Sequence, residues 1–233
     1  MIPLQTNLIL RMTALDKGTI DYKNELFRKG IHLCSLSIPV IYYFITRELA
    51  LSILVPLVIL SIVIDLYRFY NHNFAELFYK YFGFLLRDHE KDHQKRSLNG
   101  ATYVLIAAVL TVLIFPKVIA VAAFAILIIS DISAALIGRR FGKIKFLSKS
   151  LEGTGAFFVT ACIVVLLAPK VTGTFEEYII GFIAAFVGAI VENVSYGYAD
   201  DNLTIPLSVG FTMWILYSLL LPELQLILSG VPN

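Results

Sequence analysis

Seven apolar runs divide the chain, at about 31–45, 49–64, 101–115, 118–137, 154–168, 178–191 and 205–221, and only His32 and Asp131 interrupt them. The runs are continuous rather than alternating. That pattern predicts helices, because a lipid interior leaves no backbone group without an internal partner and a barrel strand would alternate. A crossing takes about 20 residues, so the shorter runs must draw on flanking Tyr, Lys and Arg at the interface. The expected fold is all-α: a polytopic membrane helix bundle of about seven transmembrane helices. It forms a single integral membrane domain over 1–233, with an N-terminal cytoplasmic segment at 1–24 and the bundle at 25–221. Between the second and third runs, Phe74, Leu77, Phe78, Tyr81, Phe82 and Leu85 recur at i, i+3, i+4, i+7, i+8 and i+11. This spacing predicts an amphipathic interfacial helix near 74–86.

Composition agrees with that pattern. Hydrophobic residues make up 58% of the 233, charged residues 15%, and the mean hydropathy is +0.79. A soluble domain carries about 45–50% and about 25%, so an ordinary soluble domain is excluded, and the aromatic and aliphatic content excludes disorder. Charge placement says more than the net +2. Arg47, Lys117 and Lys170 fall in one set of alternate loops, and the other sixteen of the nineteen Lys and Arg fall in the opposite set. Basic residues stay on the cytoplasmic side, which predicts a cytoplasmic N-terminus. Cys34 and Cys162 lie inside apolar runs, so no disulfide framework is expected. The opening MIPLQTNLIL has no basic n-region, so no cleaved signal peptide is expected.

With this topology the reactive side chains gather at the cytoplasmic face. Glu25, Arg28, Lys29 and His32 follow at i, i+3, i+4 and i+7 and share one helix face. Asp131 lies inside the fourth run, where a carboxylate costs about 2.5–3.5 kcal/mol, so it needs a basic side chain, a metal ion or a substrate hydroxyl. Glu192 sits at the end of the sixth run. The loop GRRFGKIKFLSKSLEGTG, from Gly138 to Gly155, joins five basic residues to four glycines. Such a loop suits a polyphosphate, with a helix start near Gly153–Gly155 offering its positive dipole end. Asp200, Asp201 and Asn202 supply hard oxygen ligands of the kind that hold Mg²⁺ together with phosphates. His72, His89 and His93 are read as solvated.

The order of these strings resembles the CTP-dependent membrane lipid kinases, the family of dolichol kinase, phytol kinase and the yeast-type CTP-dependent diacylglycerol kinase. The resemblance is carried by ELFRKGIH (25–32), LLRDHEKDHQKRSLNGATY (85–103), SDISAALIGRRFGK (130–143), KSLEGT (149–154), VEN (191–193) and DDNLTIPL (200–207). It implies transfer of the γ-phosphoryl group of CTP to a membrane lipid alcohol, a polyprenol, phytol or diacylglycerol, with release of CDP. Phosphoryl transfer needs positioning and charge neutralisation. The resemblance therefore implies nucleotide and phosphate binding by Arg28, Lys29, His32, Asn99, Gly138, Arg139, Arg140, Gly142, Lys143, Lys149, Ser150 and Gly153. It implies catalytic roles for Asp131, Glu152 and Glu192, and Mg²⁺ binding by Asp131, Asp200, Asp201 and Asn202. Asp131 is favoured as base or metal partner, and Asp131→Asn is expected to abolish turnover with stability close to wild type.

Two other readings are open to the same residues. A CTP:phosphatidate cytidylyltransferase also carries an aspartate before a glycine-rich basic loop, but this chain has DDNLTIPL where that pattern has a late Asp, Ser and Lys signature. An anion transporter could use a buried aspartate and a basic vestibule, yet the loops opposite the polar strings carry few charges and no inverted repeat is visible.

Overall fold

The computed structural model describes residues 22–86, 97–195 and 200–232. The N-terminal segment, most of the 87–100 string and part of the turn before Asp200 thus lie outside the described residues. The elements are α1 (Tyr22–Cys34), α2 (Ser37–Phe44), α3 (Arg47–Tyr70), α4 (His72–Phe82), α5 (Gly100–Ile114) and α6 (Lys117–Phe141). A two-stranded hairpin follows, β1 (Lys145–Phe146) and β2 (Lys149–Ser150), then α7 (Leu151–Leu167), α8 (Phe175–Val194) and α9 (Asp201–Leu220). The fold is overwhelmingly helical. The expected all-α reading omits only the hairpin, whose strands pair Lys145 with Ser150 and Phe146 with Lys149.

Among the described residues, four helices are long and apolar enough to cross a membrane, namely α3, α6, α8 and α9; α5 and α7 are apolar but shorter. The first apolar run is not one helix. It is divided between α1 and α2 at Ser35–Leu36, where the Ser35 and Leu36 amides bond back three residues to His32 and Leu33 in a tight turn. Of the 74–86 stretch, a helix covers the part as far as Phe82. Gly83 then caps α4 with its amide on the Tyr79 carbonyl.

α6 is the axis of the bundle, with Val118, Ile119, Ala123, Ile126, Leu127 and Ile128 all fully enclosed. It packs against α7 and α9, and more lightly against α1, α2 and α5; α8 closes the far side against α7 and α9. α3 is peripheral. Its apolar window is 17% buried against 72% for α6, and it leans mainly on α5 and α4. Small residues allow the closest approaches between helices, as is general where lipid removes the hydrophobic drive. A Cβ on Gly210 of α9 would run into the ring of Phe115, with Cζ at 2.6 Å.

One end of the bundle is sealed by charges that bind main chain. Arg47 donates to the carbonyls of Val112 (2.7 Å), Leu113 (2.7 Å) and Phe115 (3.2 Å). Lys117 donates to Ile45 (2.7 Å) and Pro232, and Lys170 to Val165 (2.5 Å) and Ala168 (2.9 Å). Cations are favoured at helix C-termini because the last carbonyls lack intrahelical donors. Glu177 does the converse. It accepts the amides of Val171, Thr172 and Gly173 at 2.8–2.9 Å and the hydroxyls of Thr172 (2.6 Å) and Tyr217 (3.1 Å).

The Gly210 contact gives a stability test. Gly210→Val should lower stability by about 1–3 kcal/mol, as overpacking does, whereas Gly155→Ala, with nothing within 4 Å of the new Cβ, should change it little. Thermal unfolding of the detergent-solubilised variants measures both.

Candidate functional site

At the other end of the bundle the charges face one another. α1 lies on α6, so Lys29 and His32, one turn apart, both reach Asp131. Lys29 is ion-paired with Asp131, both side chains being almost fully buried, and His32 Nε2 stands 3.5 Å from the same Oδ2. Arg28 pairs with Glu25 at 2.7 Å, and Arg139, at the end of α6, reaches the other Glu25 oxygen at 3.4 Å.

A second group adjoins the first. The hairpin carries Lys149 inward, where its ammonium pairs with Glu192 of α8 and lies 3.8 Å from Asp201 of α9. Burial works to lower the Lys149 pKa, but Glu192, Asp201 and, further off, Asp131 outweigh it, and the net shift is upward. Lys149 is therefore cationic at neutral pH. By linkage, its contribution to stability is complete below the ordinary lysine value and is lost only as pH climbs through the raised one. Glu192 Oε2 is buried and has no hydrogen-bond partner among the described residues. Asp131 and Asp201 are close enough to interact as like charges. The two groups thus form one network of four carboxylates, Glu25, Asp131, Glu192 and Asp201, and four cations, Arg28, Lys29, Arg139 and Lys149, with His32 at the join.

Asn193, the last residue of the VEN string and one given no role from the sequence, sets the hairpin in place. It is fully buried. Its Oδ1 accepts the amides of Ser148 (2.8 Å) and Lys149 (3.2 Å), and its Nδ2 donates to Thr154 Oγ1 (2.6 Å). The same tie holds Leu147 at φ 49°, a backbone region disfavoured for a residue with a branched side chain.

Other residues stand elsewhere than the phosphate loop reading expects. Helix α7 starts at Leu151, with Ser150 as N-cap accepting the Gly153 amide at 3.2 Å. The expected start at Gly153–Gly155 is too late, because the Ser150 hydroxyl already satisfies the first turn. Gly138 and Gly153 face each other across α6 and α7, where a Cβ on Gly153 would stand 3.2 Å from the Gly138 Cα; a Cβ on Gly142 would meet Ser150 Oγ at 2.6 Å. Close packing accounts for these glycines. Glu152 accepts the Ile144 amide at 3.3 Å and so braces the hairpin. Arg140 and Lys143 are exposed.

Asn99 belongs to a separate cluster. It N-caps α5 by accepting the Thr102 amide (2.9 Å), and both its own N–H groups go to Asp65 of α3 at 2.9 Å. Thr102 Oγ1 donates to Asp65 at 2.8 Å, and Arg68 pairs with it at 3.2 Å, beneath the rings of Phe69, Phe78 and Tyr79. Asp200 Oδ1 accepts from the amide (3.0 Å) and side chain (2.8 Å) of Asn202 and so N-caps α9. No group of three or more His, Cys, Asp or Glu side chains among the described residues forms a ready metal site. The open Glu192 oxygen beside Asp201 and Asp131 does suit a Mg²⁺ arriving with phosphate ligands of its own, which takes only one or two carboxylates.

Three comparisons bear on this arrangement. The chain is 30% identical over 191 residues to an uncharacterized protein of Rickettsia prowazekii, covering 82% of this chain and 93% of that one. It is 30% identical over 165 residues to CTP-dependent diacylglycerol kinase 1 of Schizosaccharomyces pombe, covering 65% and 74%. It is 29% identical over 193 residues to an uncharacterized protein of Methanocaldococcus jannaschii, covering 80% and 91%. No family model and no solved structure matches the chain. The chain belongs to the family that includes the Schizosaccharomyces pombe CTP-dependent diacylglycerol kinase.

The buried Lys29–Asp131 pair alters one expectation. Asp131→Asn leaves Lys29 buried without its counter-charge, so stability should fall with activity. Breaking such a pair costs about 3–5 kcal/mol, whereas replacing both partners by apolar groups is often neutral. Lys29→Met should therefore lose about that amount and Lys29→Met/Asp131→Leu should recover most of it. A double-mutant cycle on thermal unfolding reads the coupling.

Proposed function

We propose that the protein is a CTP-dependent lipid kinase, transferring the γ-phosphoryl group of CTP to the hydroxyl of a membrane lipid alcohol and releasing CDP. The observation that carries this reading is the contrast between the two ends of the bundle. Charges at one end are absorbed by helix termini, while those at the other form a balanced network of cations and carboxylates that includes the intramembrane Asp131. Kinship with a protein named as a CTP-dependent diacylglycerol kinase supports it.

The proposed topology has seven crossings, with α1 and α2 together making the first, the N-terminus in the cytosol and the network at the cytoplasmic face. The uneven distribution of Lys and Arg supports it. In this orientation Arg28, Lys29, Arg139 and Lys149, with His32, bind the phosphates of CTP. A network already neutral in itself would gain a surplus of negative charge from CTP alone, so the nucleotide enters with Mg²⁺. Asp131 and Asp201, with the open oxygen of Glu192, are the residues that would hold the ion, whose chemistry is to neutralise charge on the transferring phosphoryl group. Asp131 is the deepest of the carboxylates in its helix, at a level that a lipid hydroxyl reaches from the bilayer. It would serve either as a holder of that ion or as the acceptor of the hydroxyl's proton as the oxygen attacks phosphorus.

The test is purified protein incubated with [γ-³²P]CTP and diacylglycerol, phytol, geranylgeraniol, dolichol or undecaprenol, with products separated by chromatography. Labelled lipid phosphate with CDP is expected; a CDP-lipid with pyrophosphate would overturn the reading, as would the absence of transfer to every alcohol. Glu192→Gln keeps an acceptor for Lys149 and should lower turnover by about 10²-fold or more. Lys149→Ala should weaken apparent CTP affinity more than lipid affinity. Unchanged kinetics in both variants would remove the network from the reaction.

A further inference from the structure

The five basic residues between Arg139 and Lys149 divide into two sets. Arg139 and Lys149 turn into the polar network, whereas Arg140, Lys143 and Lys145 are exposed. Interleaved with the exposed three are large apolar side chains that are also open: Phe141 at 54%, Ile144 at 57%, Leu147 at 53% and Leu151 at 44%. A hairpin in water would not carry Leu147 at its tip, and a purely hydrocarbon-facing segment would not carry three cations. The combination fits the boundary between headgroups and acyl chains, where apolar groups sink about 5–10 Å and basic groups meet lipid phosphates.

The hairpin is also fixed at that level. It connects two apolar helices in a few residues. The Ser148 and Lys149 amides are hydrogen-bonded to Asn193 in the last turn of α8, so the residue next to Leu147 is tethered to the end of an apolar helix. The Leu151 amide on the Ile144 carbonyl (2.8 Å) and Glu152 on the Ile144 amide close its base.

We infer that the β1–β2 hairpin docks on anionic phospholipid headgroups of the surrounding bilayer, with Ile144 and Leu147 in the acyl boundary and Arg140, Lys143 and Lys145 on the phosphates. This surface uses none of the residues proposed above to bind the phosphates of CTP. Charge complementarity selects the occupant: three exposed cations, of which Lys143 has Glu152 within electrostatic reach, stand among open apolar side chains, and the bilayer offers anions and hydrocarbon side by side.

The test uses the full chain with Cys34→Ser and Cys162→Ala, carrying Leu147→Cys labelled with an environment-sensitive fluorophore, in nanodiscs of phosphatidylcholine with increasing phosphatidylglycerol. Emission should shift to the blue and shielding from aqueous iodide should grow as phosphatidylglycerol rises. Each of Arg140→Gln, Lys143→Gln and Lys145→Gln should raise the phosphatidylglycerol fraction needed for half the shift by about fivefold. These residues are exposed, so folding should persist, and an unchanged elution volume checks it. A label open to iodide in all lipids, or a shift indifferent to the three substitutions, would overturn the inference. So would CTP reproducing the shift in detergent micelles, which would assign the outer cations to nucleotide.

Discussion

A charge enclosed by apolar helices must meet an opposite charge, and the arrangement around Asp131 follows from that constraint. Lys29 reaches Asp131 only because α1 is laid against α6, so the ion pair fixes the docking of the N-terminal helix as well as the state of the acid. The same rule draws Lys149 out of its loop toward Glu192 and Asp201, and so shapes the hairpin that bears it. The network is therefore a structural element and a chemical one. Its members hold α1, α6, α8, α9 and the hairpin together at one end of the bundle.

The helices were legible because their apolar runs are long and uninterrupted. Asp131 was legible for the same reason, as the lone acid within such a run, and Lys29 with His32 because their spacing puts them on one face. The break at Ser35–Leu36 was not, since Ser and Leu differ little from their surroundings in hydropathy and the turn depends on how α1 meets α6. The Asp65–Arg68 cluster escaped notice because it begins one residue beyond an apolar run and looks like an interfacial flank. Its burial comes from Asn99 and Thr102, which are distant in sequence. Glu177 resembled one more charge in an outer loop, and only the fold shows it gathering the amides of residues 171–173.

The glycine-rich segment shows how composition can suggest the right place and the wrong reason. Glycines among basic residues are compatible with a phosphate cradle, but Gly138 and Gly153 are needed where α6 and α7 nearly touch, and Gly142 leaves room for Ser150. Arg139 and Arg140, adjacent in sequence, likewise end on different surfaces, because successive residues of a helix do not share a face. Asn193 fixes the hairpin that carries Lys149 inward, through two backbone hydrogen bonds that no residue pattern announces.

The attachment of α3 has a consequence for handling the protein. Little of its surface is covered, and a polar clasp of Asp65, Arg68, Asn99, Thr102 and Ser61 joins it to α5. Such a clasp is strong where water is scarce and weaker where it enters, because a lower dielectric strengthens each charged contact. Solubilisation in loosely packed micelles thus acts first on this seam, and the choice of detergent governs whether α3 stays with the rest.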